Sequence, residues 1–131
     1  MKAFTLIELL VVVAIIGILA AVGVTTFGGF QEKAKVSASK ANHKSVVRYI
    51  TSEVMKCSLG EAKAMDNNLD CSKQGTYNWK DNVADAVEKA LSDFKNPYDT
   101  SQSSVTHGGG MQNDNQVGYN RVHTPGNNVR V

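Results

Sequence analysis

The sequence has 131 residues, with 14 Lys and Arg against 12 Asp and Glu, two Cys, 42% hydrophobic and 7% aromatic residues. That length permits one domain and hardly two, and a net charge of +2 is too small to name a partner. The average conceals an uneven distribution: 19 of the first 24 residues are hydrophobic. An apolar leader followed by a polar remainder argues against a plain soluble globular enzyme, and the periodic apolar positions and single Trp of the remainder argue against a disordered chain.

From Phe4 to Phe30 the one charged residue is Glu8, and Leu9 to Val24 is an unbroken stretch of apolar or glycine residues. At about 1.5 Å per residue, a helix over this stretch matches a hydrocarbon core of roughly 30 Å, so it can span a membrane. A secretory signal peptide is the first rival, since Lys2 followed by an apolar run is how one begins. The run is longer than a signal core, and no clear small-x-small cleavage site follows it, although Ala20, Ala21 and Gly23 imitate one. Glu8 is the informative residue. A carboxylate near the centre of a spanning helix costs about 2.5 to 3.5 kcal/mol and less toward an end, so Glu8 is either paired and functional or snorkels to the interface; the physics of the sequence leaves both open.

Met1-Lys2-Ala3 followed by Phe4-Thr5-Leu6-Ile7-Glu8-Leu9-Leu10-Val11-Val12-Val13-Ala14-Ile15-Ile16-Gly17-Ile18-Leu19-Ala20-Ala21 resembles the N-terminus of bacterial type IV pilins and of the pseudopilins of type II secretion. The resemblance implies that a prepilin peptidase cuts after Ala3, that the new amine on Phe4 is N-methylated, and that Glu8 becomes the fifth residue of the mature chain. The physics of such an arrangement stands by itself. Cleavage frees a cationic amine four residues before Glu8, and methylation leaves its charge. In a helical bundle, the Glu8 of an incoming subunit gains most by pairing with the amine of a neighbour already assembled, and one buried charge pair then fixes axial register.

Three features depart from the family's pattern: Ala3 stands where Gly is usual before the cut, the leader has three residues, and Thr25 occupies the position of a Pro common near the outer end of the membrane helix. Local melting of the helix in a filament would rest on Gly17, Gly23, Gly28 and Gly29, each lowering helix propensity by about 1 kcal/mol. The positive-inside rule points the other way from the family, because Lys33, Lys35, Lys40, Lys44 and Arg48 outnumber Lys2. The N-in insertion implied by the family is preferred because it places the cysteines outside the cytoplasm.

From Gln31 to Lys56 there is no Gly or Pro, and Phe30, Ala34, Ala38, Ala41, Val46, Ile50 and Val54 recur at helical spacing. The spanning helix is expected to continue as a stem to Ser58-Leu59-Gly60, with Gly60 as its C-terminal cap, for a length of about 80 Å. Small residues line the inner half, whereas Val46, Val47, Ile50 and Val54 are bulky enough to carry a head. Lys33, Lys40, Lys44 and Arg48 fall along another side, read as a solvated or lipid-headgroup face; a nucleic-acid stripe lacks interleaved aromatics beyond Tyr49.

Cys57 and Cys71 are isolated and 14 residues apart. Outside the cytoplasm such a pair is most simply a disulfide, worth about 3 kcal/mol in the chain-entropy estimate. A metal site is disfavoured, because neither Cys has a close-spaced partner and His43, His107 and His123 are scattered. Residues 61–80 read as a connecting segment. A second helix is predicted from Trp79 to Lys95, capped by Asn78 with Asp81 three residues on; Val83, Ala86, Val87, Ala90, Leu91 and Phe94 form its apolar face and Pro97 follows it. Short strands are predicted at Ser104–His107, Gln116–His123 and Asn128–Val131, with Gly108-Gly109-Gly110 opening the first connection and Pro125-Gly126 fitting a type II turn in the second. The sequence stops on an apolar residue in mid-strand, which makes Val131 either a sheet edge or the end of a truncated chain.

The expected fold is therefore α+β: a short leader at 1–3, a membrane and assembly helix at 4–30, a helical stem at 31–60, and a head at 61–131 with a second helix and a C-terminal antiparallel sheet. There is no phosphate-loop, nucleophile-elbow or paired-carboxylate pattern, so the reading is not an enzyme and involves no cofactor or metal. Asp66, Asp70 and Asn113-Asp114-Asn115 offer oxygen ligands for Ca²⁺, although loops are ordinarily rich in Asn and Asp. The resemblance implies a filament homo-oligomer held first in the bacterial cytoplasmic membrane with its N-terminus inside, then in an extracellular pilus. Its other partners are the prepilin peptidase and methyltransferase and the pilus assembly machinery; a nucleic-acid partner stays open. Adhesion, surface motility and DNA uptake are not distinguished. The alternatives are a pseudopilin and, from a different class, a membrane-tethered enzyme or binding protein.

Overall fold

The computed structural model describes residues 2–108 and 117–122. The predicted strand at Asn128–Val131, the Pro125-Gly126 turn, His123, the Asn113-Asp114-Asn115 run and Gly109-Gly110 lie outside the described residues. The chain divides into two compact units, Met1–Ala34 and Lys35–Val131.

One helix, α1, covers Leu6–Ser58. Within the first unit every large apolar side chain from Phe4 to Phe30 is exposed, Phe4 at 86% and Leu10 at 69%. By length and composition the helix is long and apolar enough to cross a membrane. Around Gly23 the helix has local complications of its own: the hydroxyls of Thr25 and Thr26 both donate to the Val22 carbonyl, at 3.0 and 3.1 Å. Such back-bonding satisfies the hydroxyls in an apolar medium and competes with the helix ladder. The far end of α1 closes as expected at Gly60, whose φ is +96°. The Gly60 amide donates to the Cys57 carbonyl at 3.2 Å and the Glu61 amide to the Lys56 carbonyl at 3.1 Å, the paired bonds of a Schellman motif.

In the second unit, Val46, Ile50 and Cys57 of α1 contribute to one core with Met65, Leu69, Val83, Ala84, Ala86, Val87, Val105 and Val122. Residues 61–80, read from sequence as a connection, hold real structure. Strands β1 (Lys63–Ala64) and β2 (Leu69–Asp70) pair antiparallel, Lys63 with Asp70 and Ala64 with Leu69, and a 3₁₀ turn follows at Cys71–Lys73. Met65, Asp66 and Asn67 between the strands all have left-handed backbones, with φ of 54°, 53° and 66°.

Helix α2 spans Trp79–Ala90 and buries Val83, Ala84, Ala86 and Val87. It ends five residues before the predicted Lys95, although Leu91 and Phe94 prolong the apolar periodicity and pack on the core. The backbone there is engaged elsewhere: Ser104 donates to the Phe94 carbonyl, Asn96 donates to the Gln102 carbonyl at 3.0 Å, and Lys95 bridges Ser103 antiparallel. A backbone paired across a turn cannot also continue a helix ladder. Asn78 occupies the N-cap position but makes no side-chain capping bond.

The α+β class holds, with its antiparallel pair in the first half of the head. The C-terminal pairing differs from the sequence expectation. Strands β3 (Val105–His107) and β4 (Asn120–Val122) run parallel, with Val105 opposite Asn120 and His107 opposite Val122. Parallel strands require the chain to return to its starting side over a connection of a dozen residues or more, in place of a tight hairpin, and residues 108–119 provide that length. The chain before β4 is held by Asn96, 1% exposed, whose Nδ2 donates to the Val117 carbonyl at 2.9 Å and whose Oδ1 accepts from the Tyr98 amide at 2.9 Å.

Candidate functional site

The N-terminal site begins with non-helical, exposed residues, Lys2 to Thr5, so the Ala3–Phe4 bond lies outside the helix. Thr5 is where the helix starts and Glu8 lies in its first turn. The Thr5 amide donates to Glu8 Oε2 at 2.9 Å and the Thr5 hydroxyl to the same oxygen at 2.8 Å. In return the Glu8 amide donates to Thr5 Oγ1 at 3.3 Å. This is a reciprocal capping box, Thr-x-x-Glu, which satisfies two of the amides that every helix start leaves without intrahelical partners. Thr5-Leu6-Ile7-Glu8 is itself the sequence signature of such a box, a local role that the expectation of a distant partner for Glu8 did not include. Glu8 therefore has a role in its own chain: one oxygen closes the helix start, and the other, Oε1, has no hydrogen-bond partner among the described residues.

The site on the head is closed covalently. Cys57 at the end of α1 and Cys71 after β2 are bonded, with Cα atoms 5.0 Å apart and 14 residues between them in sequence. Two side chains of α1 hold the left-handed turn inside that loop. Buried Glu53 accepts from the Met65 amide at 2.6 Å and pairs with Lys56. The Lys56 hydrogen bond holds the Glu53 carboxyl below the usual carboxylate range against its desolvation, with the Met65 amide adding to the effect. Tyr49 donates to Asp66 Oδ2 at 3.5 Å, and burial, with the Asp66 and Glu53 charges, pushes its hydroxyl up to about 12. Of the oxygen donors proposed for Ca²⁺, Asp66 is thus engaged by Tyr49, and Asp70 accepts from the Ser72 amide at 3.0 Å and its hydroxyl at 2.7 Å. His43 and His107 are apart, on Asn120 and Asp85 respectively.

Residues 1–24 match the model of the prokaryotic N-terminal methylation motif. The match covers the N-terminal segment alone. Over 45 residues the chain is 53% identical to the type IV major pilin protein PilA of Myxococcus xanthus (strain DK1622), a stretch that covers 34% of this chain and 20% of that pilin. No solved structure matches the chain. The methylation-motif match covers the segment that carries Ala3, Phe4 and Glu8.

Proposed function

We propose that the chain is a structural subunit, and not an enzyme, of an extracellular type IV pilus. A prepilin peptidase cuts after Ala3, the Phe4 amine is methylated, and the subunit waits in the cytoplasmic membrane with its N-terminus inside. The observation that carries the reading is the stretch from Phe4 to Phe30, whose large apolar side chains are all exposed and which contains one carboxylate, already fixed at the helix start. An apolar surface of that extent is covered either by lipid or by other copies of itself, and a pilus subunit needs both in turn.

In the membrane pool Glu8 is satisfied by Thr5. During assembly its second oxygen accepts a hydrogen bond from the Phe4 amine of a neighbour, and the pair sets the axial register without opening the capping box. The helix around Gly23, Thr25 and Thr26 supplies the weak point for local unwinding where the family has Pro. The likeness to a major pilin favours an extended pilus over the short pseudopilus of type II secretion. The test is electron microscopy of sheared extracellular material with identification of its peptides. Filaments composed of this chain and beginning at methylated Phe4 are expected; a chain retained in the membrane and beginning at Met1 would overturn the reading.

A further inference from the structure

Beside the disulfide loop, α2 and the segment Asn68–Lys73 enclose a half-open cavity of about 130 Å³. Its polar groups come from both sides: Asn68, Asp70 and Lys73 from the loop, and Asn82, Asp85 and Lys89 from α2, with Ala86 as the apolar floor. The hydrogen bonding within it is uneven. Asp70 uses Oδ1 for Ser72, and Asp85 uses Oδ1 for His107 Nδ1 at 2.6 Å. Each carboxylate is thereby oriented, with Oδ2 left without a hydrogen-bond partner among the described residues. The ammonium groups of Lys73 and Lys89 make no hydrogen bond or salt bridge among the described residues, and Lys73 acts on Asp70 only through its charge. Two ammonium groups thus share a cleft with two carboxylates without a direct contact to either one among the described residues.

This combination selects a ligand chemistry. The free ammonium groups ask for an anionic group, and a carboxylate is the simplest that meets two Lys donors. The open carboxylate oxygens and the Asn carbonyls ask for hydroxyl or amide donors. A bare anion leaves those acceptors unmatched, a divalent cation is opposed by the two Lys charges, and the cavity is too small for a drug-sized apolar molecule. A single ring that carries hydroxyls on one edge and a carboxylate on the other matches both halves. We propose that this cavity binds an acidic monosaccharide unit, a uronate, whether free or within a polysaccharide, with Lys73 and Lys89 on the carboxylate and Asp70, Asp85, Asn68 and Asn82 on the hydroxyls. The disulfide at Cys71 and the Asp85–His107 contact position the two walls. Binding requires neither filament nor assembly, so this site stands or falls apart from the subunit reading.

The test uses the full chain in detergent micelles, labelled with ¹⁵N, titrated with sodium D-glucuronate and sodium D-galacturonate. D-glucose and sodium acetate serve as the two halves of the ligand, and a polymer of the better uronate asks whether the unit is read within a polysaccharide. Saturable shifts are expected at Asn68, Lys73, Asn82, Asp85 and Lys89 with at least one uronate, and about tenfold or weaker binding of glucose and acetate. Lys73→Gln with Lys89→Gln should raise the uronate Kd by about tenfold or more while leaving the rest of the spectrum in place. No saturable shift with either uronate would overturn the proposal. So would acetate binding as tightly as the uronates, or binding unaffected by the double substitution.

Discussion

Glu53→Ala offers a sharp test of how α1 organises the head. Glu53 is buried, accepts the Met65 amide at 2.6 Å and pairs with Lys56, so alanine leaves a buried backbone donor without an acceptor. Loss of a charge-assisted hydrogen bond to a buried group costs about 1.5 to 3 kcal/mol. The turn it holds has three consecutive left-handed non-glycine residues, each about 1 to 2 kcal/mol above the right-handed form, so the loop has reason to rearrange once released. A loss of about 3 kcal/mol is expected, at the upper end of the bond's own worth, because the relaxing loop also gives up contacts of Met65 with the core. The assay is urea unfolding of the detergent-solubilised chain under non-reducing conditions, followed by the fluorescence of Trp79, which packs against the core. The pH dependence supplies a second reading. The Glu53 pKa is lowered in the folded state, so its contribution is present above the ordinary glutamate value of 4.5 and is lost as pH falls through the folded value. The gap between wild type and Glu53→Ala should therefore narrow in acid. A change within about 0.5 kcal/mol at neutral pH, the usual range for an inconsequential surface substitution, would refute the reasoning.

Gly118→Ala should destabilise the head by about 2 kcal/mol or more by thermal unfolding, since φ is +82° and an added Cβ would sit 2.1 Å from Asn96 Oδ1 and 2.8 Å from Tyr98. Joint replacement of Cys57 and Cys71 by Ser should cost about 3 kcal/mol, and non-reducing peptide mapping of the native chain should recover the two cysteines in one linked species, with free thiols at both contradicting the bridge. Replacement of Ala3 by a bulky residue should leave uncut precursor in the membrane, detected by its mass; normal processing would show that the bond after Ala3 is not the one recognised.

The helices were readable because their signals are long. The apolar run and the stretch from Gln31 to Lys56 without Gly or Pro fix α1, and Gly60 marks its end. The three-residue strands β3 and β4 fall inside the segments predicted at 104–107 and 116–123, but the two-residue strands were not readable. Strands β1 and β2 have two residues each, too few for an alternating pattern, and Met65 is no turn former, so its left-handed backbone follows from Glu53 twelve residues earlier. Strand direction at β3 and β4 is not encoded in an apolar pattern at all, since parallel and antiparallel partners bury the same alternate residues. Helix α2 stops at Ala90 because Phe94, Lys95 and Asn96 pair with residues 102–104, a contact between segments that the continuing periodicity of Leu91 and Phe94 conceals. At the N-terminus, Thr5-x-x-Glu8 was in plain view, but the cost of placing a carboxylate in a membrane drew the reading toward a distant partner and away from the adjacent threonine.

The capping box makes Glu8→Gln the most direct measurement of the central claim. Glutamine replaces glutamate in a capping box, so the substitution leaves the helix start closed by Thr5, removes the charge and turns the open acceptor into an amide donor. If Glu8 pairs with the Phe4 amine of a neighbouring subunit, the neutral side chain leaves a buried cation without its counter-ion, at a cost of about 3 to 5 kcal/mol per subunit when fully desolvated. In cells lacking the wild-type chain, Glu8→Gln subunit should accumulate in the membrane with its head as stable as wild type, and sheared filaments should be absent. Filaments at normal yield from Glu8→Gln would show that Glu8 serves its own helix start alone, and would contradict the proposed assembly by charge pairing.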